Sequence, residues 1–306
     1  MDWLDAFLAS GVRFTTPILL AGLGCLATAW TRDLNVGLEG AMIFAAFFGV
    51  VLGLSTGSWI LAVVLTTLLG VVFGLLFGVV ITVLRVNVFV AGIVLNVLGA
   101  GGTVYLLRSM YGVKGTLADE GIPAMARLDL PLVKDVPVLS GLLSGHTVLT
   151  YFSWVLTGLV GLAVVHSVVV RRLKAAGEHP DALRTAGGNV TWMRIVAQAW
   201  CLALCGPAGV QLSLGQLSLF TEGMTSGMGF VALAAVIFCR GRLVLLAVMC
   251  FVFGLSSAAG VQINDDVMPP QFAQMIPYVV ALLGLLVLAK RSPEGQLRIA
   301  TPTMEG

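Results

Sequence analysis

The chain has 306 residues, of which 58% are hydrophobic and only 10% are charged, and its formal net charge is +2. Its mean hydropathy is +1.01. Soluble domains carry about 25% charged residues, so this chain cannot cover a water-facing surface. The small net charge also gives no electrostatic footprint for DNA or RNA. The composition therefore excludes a soluble globular enzyme, a disordered tail protein and a nucleic-acid binder, and it indicates a polytopic membrane protein.

Long apolar runs without strand-like alternation predict helical spans, each of which needs about 20 apolar residues. Several runs are short or interrupted by glycine. The predicted fold is therefore an all-α polytopic membrane domain over residues 1–306, with about nine or ten transmembrane helices, some of them broken or re-entrant. In chain order, the runs cover residues 12–30, 36–53, 59–84, 87–107, 147–170, 193–212, 217–238, 243–260 and 276–290.

The distribution of positive charge predicts the orientation, because cytoplasmic loops hold an excess of Lys and Arg. With residues 171–192 placed in the cytoplasm, 12 of the 17 Lys and Arg residues fall inside and five fall outside. The N-terminus is then outside and the C-terminus inside. Residues 108–146 become a long extracytoplasmic loop, which is either a passive connector or a docking surface for an external partner.

The chain shows no signature for chemistry of its own. The five cysteines lie in or beside apolar runs without a CxxC pair, which predicts small core residues rather than disulfides or metal ligands. Residues 141–147 come nearest to a P-loop, but they lack its spacing and its lysine. We therefore expect no enzyme, metal site or cofactor. The chain is a passive or ion-coupled carrier, or the membrane half of a machine that another subunit drives.

Four polar residues stand out inside or beside the apolar runs: Asn35, Glu39, Asn96 and Glu222. Charged side chains at mid-helix cost about 2.5–3.5 kcal/mol on insertion scales, so they are usually kept away from lipid. Each of the two glutamates is followed by glycine, and broken helices are tolerated at membrane depth where they line a cavity or lie buried in protein. One hypothesis makes the four residues parts of a substrate pathway. The alternative makes them interhelical ties or residues at the rim.

Gly70, Gly74 and Gly78 recur at every fourth position, which places them on one helix face. Such a face lets two helix backbones approach closely. Packing within the subunit is favoured over a dimer seam, and both interpretations stay open from the sequence.

The segment 177–187 predicts a short cytoplasmic helix over residues 180–186, between two glycine hinges at its flanks. Pro180 suits the first helical position, Asp181 complements the helix dipole, and Gly187 suits the residue just past the end. Isolated helices this short are marginal in water. We therefore expect the helix to rest on its own bundle or in the groove of a partner.

Three segments resemble the motifs of one family. Residues 33–40 resemble an N-I-G-x-E-G segment, residues 177–187 resemble a G-E-N-P-x-A-A-x-x-A-G loop, and residues 220–238 resemble a G-x-G-F-x-A-L-A-A-V-I-F block. These motifs belong to the ABC importer permeases for nucleosides and simple sugars, within the branched-chain amino acid and ribose permease superfamily. Their order and spacing cover roughly residues 30–240.

The resemblance implies a type II importer permease in the bacterial cytoplasmic (inner) membrane. Its partners would be a second permease, either different or identical, cytoplasmic ATPase subunits that bind ATP and Mg, and an extracytoplasmic substrate-binding protein. The implied substrate is a nucleoside, with a simple sugar or an amino acid as alternatives. Two alternative functions from other classes are an ion-coupled carrier and a passive channel. The short helix would be the coupling helix, with ATPase contacts at Glu178, Pro180, Asp181, Ala182, Arg184, Ala186 and Gly187.

Overall fold

A computed structural model of the chain describes residues 2–128, 139–263 and 275–280. Its helices are α1 (Asp2–Trp30), α2 (Leu38–Thr56), α3 (Trp59–Thr82), α4 (Val88–Tyr111), α5 (Leu139–Leu143), α6 (Val148–His166), α7 (Val168–Glu178), α8 (Pro180–Thr185), α9 (Val190–Val210), α10 (Met228–Cys239) and α11 (Leu243–Ile263). A π-helical segment, Gln211–Leu217, continues α9. The strands are β1 (Thr116–Leu117), β2 (Arg127–Leu128), β3 (His146–Thr147) and β4 (Phe220–Thr221).

Within these described ranges, seven helices are long and apolar enough to cross a membrane. They are α1, α2, α3, α4, α6, α9 with its π-helical continuation, and α11. At about 1.5 Å of rise per residue, their lengths match the hydrocarbon core of a bilayer. The predicted all-α polytopic fold is confirmed.

The apolar run at residues 217–238 is not one helix, in line with the expectation that some spans are broken. Residues 218–227 instead form turns and strand β4, and only α10 (Met228–Cys239) is helical, which is about half a span. Gly223 and Gly227 have φ values of 71° and 81°, in the left-handed region that interrupts a right-handed helix. Hydropathy alone does not locate this interruption, because it averages the polar residues Glu222, Thr225 and Ser226 with the apolar residues on either side.

Of two further predicted runs, one is divided in the structure and the other is described only in part. The run 147–170 is divided at Ser167, whose hydroxyl accepts a hydrogen bond from the Val169 amide at 3.2 Å and so begins a new helix, α7. Most of the run 276–290 lies outside the described residues. Its described part, residues 276–280, is helical.

Helix α9 lies at the centre of the bundle. In α9 and its π-helical continuation, 89% of the most apolar stretch is buried. The corresponding stretches of α3, α4 and α6 are only 22% buried. It packs against α1, α2 and α3, whereas the outer helices expose apolar side chains such as Leu68, Val97 and Leu159. A water-soluble protein would not leave such faces open, so the outer faces are suited to lipid.

The glycine-rich face of α3 packs against α9, as the intrasubunit interpretation predicts. A Cβ on Gly74 would come within 2.5 Å of the Ala199 backbone, and one on Gly78 within 2.9 Å of the Ile195 backbone. The helices can therefore approach backbone to backbone only because side chains are absent at these positions.

The described part of the loop 108–146 folds onto the bundle. Strand β1 pairs with β4, so that Leu117 lies opposite Phe220, and β2 pairs with β3. Ile122 and Met125 are buried in the same apolar cluster as Phe220. This loop is therefore packed at one end of the bundle against residues 218–239, which we call the re-entrant segment.

All five cysteines are free and buried, as expected for small core residues: Cys25, Cys201, Cys205, Cys239 and Cys250. They contribute to packing between α1, α9, α10 and α11.

Candidate functional site

Residues 31–37, between α1 and α2, leave helical geometry inside the bundle, and Asn35 holds their backbone. Its side chain is fully buried. Its Oδ1 accepts a hydrogen bond from the Gly37 amide at 2.7 Å, and its Nδ2 donates to Oε1 of Gln198 on α9 at 2.9 Å. Gln198 Nε2 donates in turn to the carbonyl of Asp33 at 2.7 Å. Asn35 thus helps to satisfy backbone groups that the helix break leaves open at membrane depth.

An ion pair that the sequence reasoning missed lies beside this break. Oδ2 of Asp33 lies 3.1 Å from Nε of Arg194, and the two side chains are only 21% and 34% exposed. Burial raises the pKa of the Asp33 carboxyl, and the positive charge of Arg194 opposes that rise. A signal was available in the sequence, since Arg194 and Gln198 are polar residues four apart on an otherwise apolar helix.

Asn96 joins α4 to the start of α2. Its Oδ1 accepts a hydrogen bond from the Gly40 amide at 2.8 Å, and its Nδ2 donates to the carbonyl of Val36 at 3.0 Å. A Cβ on Gly99 would overlap with the backbone of Gly40. The two helices therefore meet backbone to backbone, with Asn96 bonded to both sides of the α2 N-terminus.

Glu39, in the first turn of α2, accepts three hydrogen bonds from the re-entrant segment. Oε1 accepts from Thr225 Oγ1 at 2.5 Å and from the Gly227 amide at 2.8 Å, and Oε2 accepts from the Gly229 amide at 2.7 Å. Gly227 and Gly229 lie at the start of α10, so the Glu39 carboxylate caps that helix, where open amides and the helix dipole favour negative charge. This residue fixes the half-helix α10 to α2.

Glu222 joins the re-entrant segment to the turn after α4. Its backbone amide donates to the carbonyl of Gly115 at 2.9 Å, and its Oε1 accepts from the Gly115 amide at 3.1 Å. The Arg108 guanidinium lies 3.9 Å from the same carboxylate. Three of the four pathway candidates therefore meet around residues 35–40, and Glu222 stands apart from them. Their role in a substrate pathway stays a prediction.

A cleft of about 290 Å³ opens beside the re-entrant segment, between α1, the π-helical segment and α11. The polar residues Ser226, Ser257 and Tyr278 share its lining with the apolar residues Phe14 and Met228. A few polar groups in a mostly apolar cavity are typical of small-molecule sites. None of the four pathway candidates is among the described residues that line this cleft, so the sequence reasoning missed it.

The short helix predicted at 180–186 is confirmed as α8 (Pro180–Thr185), with Pro180 in its first turn. Gly187 follows it with a φ of 78°, as a helix end in the left-handed region requires. The expected hinge at Gly177 is wrong: this residue lies within α7. A Cβ there would collide with the carbonyl of Trp30, so close contact with α1 is the reason for a glycine.

Helix α8 rests on its own bundle through one residue and exposes the rest. Leu183 is buried against Ala176 and Val190, while Asp181 and Arg184 form an ion pair at 3.0 Å in which their side chains are 90% and 65% exposed. Pro180 is half-buried, and the other residues predicted to contact an ATPase are exposed: Glu178, Asp181, Ala182, Arg184, Ala186 and Gly187. The helix thus presents an open outer face.

Apolar spans, a buried half-helix and an exposed short helix between two spans define a polytopic membrane transport subunit, since irregular backbone at membrane depth is characteristic of transport proteins. Over residues 7–288 the chain matches the family described as "Branched-chain amino acid transport system / permease component". The chain belongs to this permease family, and it is a transport subunit of the ABC transporter class.

Several relatives cover nearly the whole chain. NupQ of Bacillus subtilis, a guanosine ABC transporter permease protein, is 26% identical over 92% of this chain and 91% of its own length. NupC of Lactococcus lactis subsp. cremoris, a nucleoside ABC transporter permease protein, is 27% identical over 93% and 92%. TsgC13 of Haloferax volcanii, provisionally named as a glucose ABC transporter permease, is 26% identical over 99% and 97%. No solved structure matches the chain at a significant level.

Proposed function

We propose that this chain is the permease subunit of an ATP-driven importer for nucleosides. The supporting observation is its similarity, along more than nine-tenths of each chain, to permeases named for guanosine and nucleosides. Nucleosides suit the cleft beside the re-entrant segment, where hydroxyl groups stand among aromatic and methionine side chains. Such a surface can receive both the hydroxyls of a sugar and the flat face of a base.

The energy for uptake comes from partner ATPase subunits, which bind ATP and Mg. Helix α8 is the contact to them, because its outer face is exposed while its inner face packs on α7 and α9. Movement of this helix shifts the bundle between two packed states, one open to each side of the membrane. Such a switch requires that the ATPase bind one of the two states more tightly than the other. An extracytoplasmic binding protein delivers the substrate, and a second permease completes the pathway.

The substrate moves past the re-entrant segment. The four polar candidates determine the position of this segment and of the helix break before α2. Asn35 and Asn96 hold the helix break before α2, Glu39 fixes α10 to α2, and Glu222 joins the segment to the outer loop. The protein lies in the bacterial inner membrane in the orientation that its positive charges predict. Residues 171–192 are then in the cytoplasm, the N-terminus is outside and the C-terminus is inside.

A simple sugar is the second candidate substrate. TsgC13, provisionally named for glucose, is as similar to this chain as the nucleoside permeases are. Uptake of radiolabelled guanosine and glucose by the complete transporter in proteoliposomes separates the two. Guanosine uptake that needs ATP supports the proposal. ATP-dependent uptake of glucose alone would transfer the assignment to sugars, and gradient-driven uptake by this chain without ATPase would indicate a secondary carrier.

Two substitutions in the coupling segment test the ATPase contact. Glu178→Arg reverses an exposed charge, and Gly187→Trp forces a large side chain onto a left-handed backbone position. Both are expected to abolish co-purification of the ATPase while the permease still elutes as a folded, monodisperse species. Glu120→Arg, which reverses an exposed charge on the outer loop, serves as the matched control. Full assembly and transport in both coupling variants would contradict the assignment.

A further inference from the structure

A second cleft, of about 470 Å³, lies where α1, α7 and α10 end. Its charged lining, which we call the basic cleft, consists of Arg32, Lys174, Arg240, Arg242 and Glu178. Four cationic side chains thus face one carboxylate. The C-terminal ends of α1, α7 and α10 each add about half a negative charge, which is too little to neutralise the cleft. The basic cleft therefore keeps a net positive charge.

Three of the four cations have no ion-pair partner in the described part of the chain. Within the described ranges, Arg32, Lys174 and Arg242 form no ion pair with any carboxylate. The nearby carboxylate of Asp33 is paired with Arg194 instead. Arg32, Lys174 and Arg242 therefore repel one another, and binding of an anion in the basic cleft relieves that repulsion.

Trp30 forms the wall of the basic cleft at the level where helices end. Its Nε1 donates a hydrogen bond to the carbonyl of Gly241 at 3.0 Å, and the Lys174 ammonium lies 5.4 Å from its ring centroid. An amphipathic Trp and a snorkelling Lys are typical of the boundary between hydrocarbon and headgroups. The basic cleft is therefore at headgroup depth.

Trp30 also lines an apolar crevice of about 360 Å³ between α1, α6, α7 and α9. The crevice follows α6 from Leu156 to Ser167, a distance of about 16 Å at 1.5 Å of rise per residue. Leu159, in its wall, is 58% exposed, so the crevice opens on the outer face of the bundle. A basic cleft and an apolar crevice thus share one tryptophan.

We propose that the basic cleft binds the headgroup of an anionic phospholipid, one acyl chain of which lies in the apolar crevice. Phosphate chemistry matches the cations Arg32, Lys174 and Arg242, and basic pockets between helices on the cytoplasmic side are suited to anionic headgroups. The apolar crevice, which shares Trp30 with the basic cleft, favours a phospholipid over a soluble phosphate, because a soluble phosphate has no acyl chain to fill it. The inner-leaflet position of this lipid rests on the orientation in the proposed function.

Lipid retention measures the proposal directly. The full-length chain, with any partners that co-purify, is exchanged from mixed phosphatidylglycerol and phosphatidylcholine nanodiscs into detergent, and bound lipids are counted by native mass spectrometry. Phosphatidylglycerol should be retained in preference to phosphatidylcholine. Lys174→Gln with Arg242→Gln should weaken its retention about 25-fold, at about fivefold for each removed charge. Arg242→Gln alone, at an exposed position between α10 and α11, should weaken retention about fivefold.

The matched control is Arg171→Gln with Arg172→Gln, which removes two exposed charges of α7 that do not line the basic cleft. It should retain phosphatidylglycerol like the unaltered chain. Equal loss in both pairs would show diffuse surface attraction and overturn the proposal. Displacement of the lipid by inorganic phosphate at matched concentration would overturn it too, in favour of a soluble anion. ATPase co-purification, read in the same samples, reports separately on the proposed function.

Discussion

At the scale of residues, the four polar candidates share one feature, since each accepts a hydrogen bond from a glycine backbone amide: Asn35, Glu39, Asn96 and Glu222. Glu39 is recognisable in the sequence as a carboxylate in apolar surroundings. Its partners are not, because Thr225 and Gly229 lie more than 180 residues away in the chain. The sequence therefore predicted which residue is unusual, and only the packing of α2 on α10 defined what it does.

Replacement of Glu39 by Gln tests its role as a cap for α10. The amide keeps one acceptor and points a donor at amides that also donate, so charge-assisted bonds worth about 1.5–3 kcal/mol are weakened. Thermal unfolding in detergent should begin at a lower temperature, and transport should fall. Glu120→Gln, on the exposed outer loop, should change neither. An unchanged melting temperature for Glu39→Gln would mean that the capping bonds contribute nothing to stability.

The Asp33–Arg194 pair predicts a pH dependence. Burial raises the pKa of the Asp33 carboxyl above its ordinary value of 3.8, and Arg194→Gln removes the charge that opposes this rise. At a pH near the raised pKa, the folded variant binds a proton at Asp33 that the unfolded chain releases. Relative to the unaltered chain, the variant therefore loses most stability well above the raised pKa, and the loss becomes smaller as the pH falls. The difference in melting temperature between Arg194→Gln and the unaltered chain should therefore be smaller at about pH 5 than at about pH 7.5.

The double variant Arg194→Gln with Asp33→Asn is the control for this experiment, because it removes the titrating group as well. Its difference in melting temperature from Asp33→Asn alone should be independent of pH over the same range, because neither chain has the titrating carboxyl. A pH-independent loss in Arg194→Gln itself would show that the ion pair matters through packing and not through charge.

At the scale of elements, short local patterns predicted structure where the determining contacts are themselves local. Pro180, Asp181 and Gly187 indicate a helix start and end within eight residues, and α8 follows them. Gly177 was misjudged as a hinge because the reason for it lies in another helix, at the carbonyl of Trp30. A glycine in a sequence does not reveal whether it supplies flexibility or close approach.

The contact between α3 and α9 gives the element-scale prediction. Gly74→Val places a branched side chain where even a Cβ would be 2.5 Å from the Ala199 backbone, so α3 must move away. Overpacking of this kind costs about 1–3 kcal/mol or more. The yield of monodisperse protein and its melting temperature should fall sharply.

Gly158→Val is the matched control for that substitution. Gly158 lies on α6, and a Cβ built on it meets no atom within 4 Å in the described part of the chain. Its yield and melting temperature should stay close to those of the unaltered chain. Similar losses in both variants would point to a general intolerance of valine in these helices rather than to the α3–α9 contact.

At the scale of the whole molecule, the proposed orientation predicts which surfaces face each side of the membrane. The five native cysteines are buried, so single introduced cysteines should label over a low background. In intact cells, a membrane-impermeant maleimide should label Glu120→Cys. Asp181→Cys should be labelled only after permeabilisation, since α8 is placed in the cytoplasm. The opposite pattern would invert the topology and remove the ATPase from α8.

The sequence by itself determined that the chain is an α-helical membrane protein, where most of its spans lie, and which family it resembles, because these depend on composition and on motifs read along the chain. The tertiary structure alone decided that residues 217–238 form a loop and a half-helix, that three polar residues meet around 35–40, and that a basic cleft and an apolar crevice meet at Trp30. Hydropathy records how apolar a segment is, whereas these features depend on backbone reversals and on contacts between residues far apart in the chain.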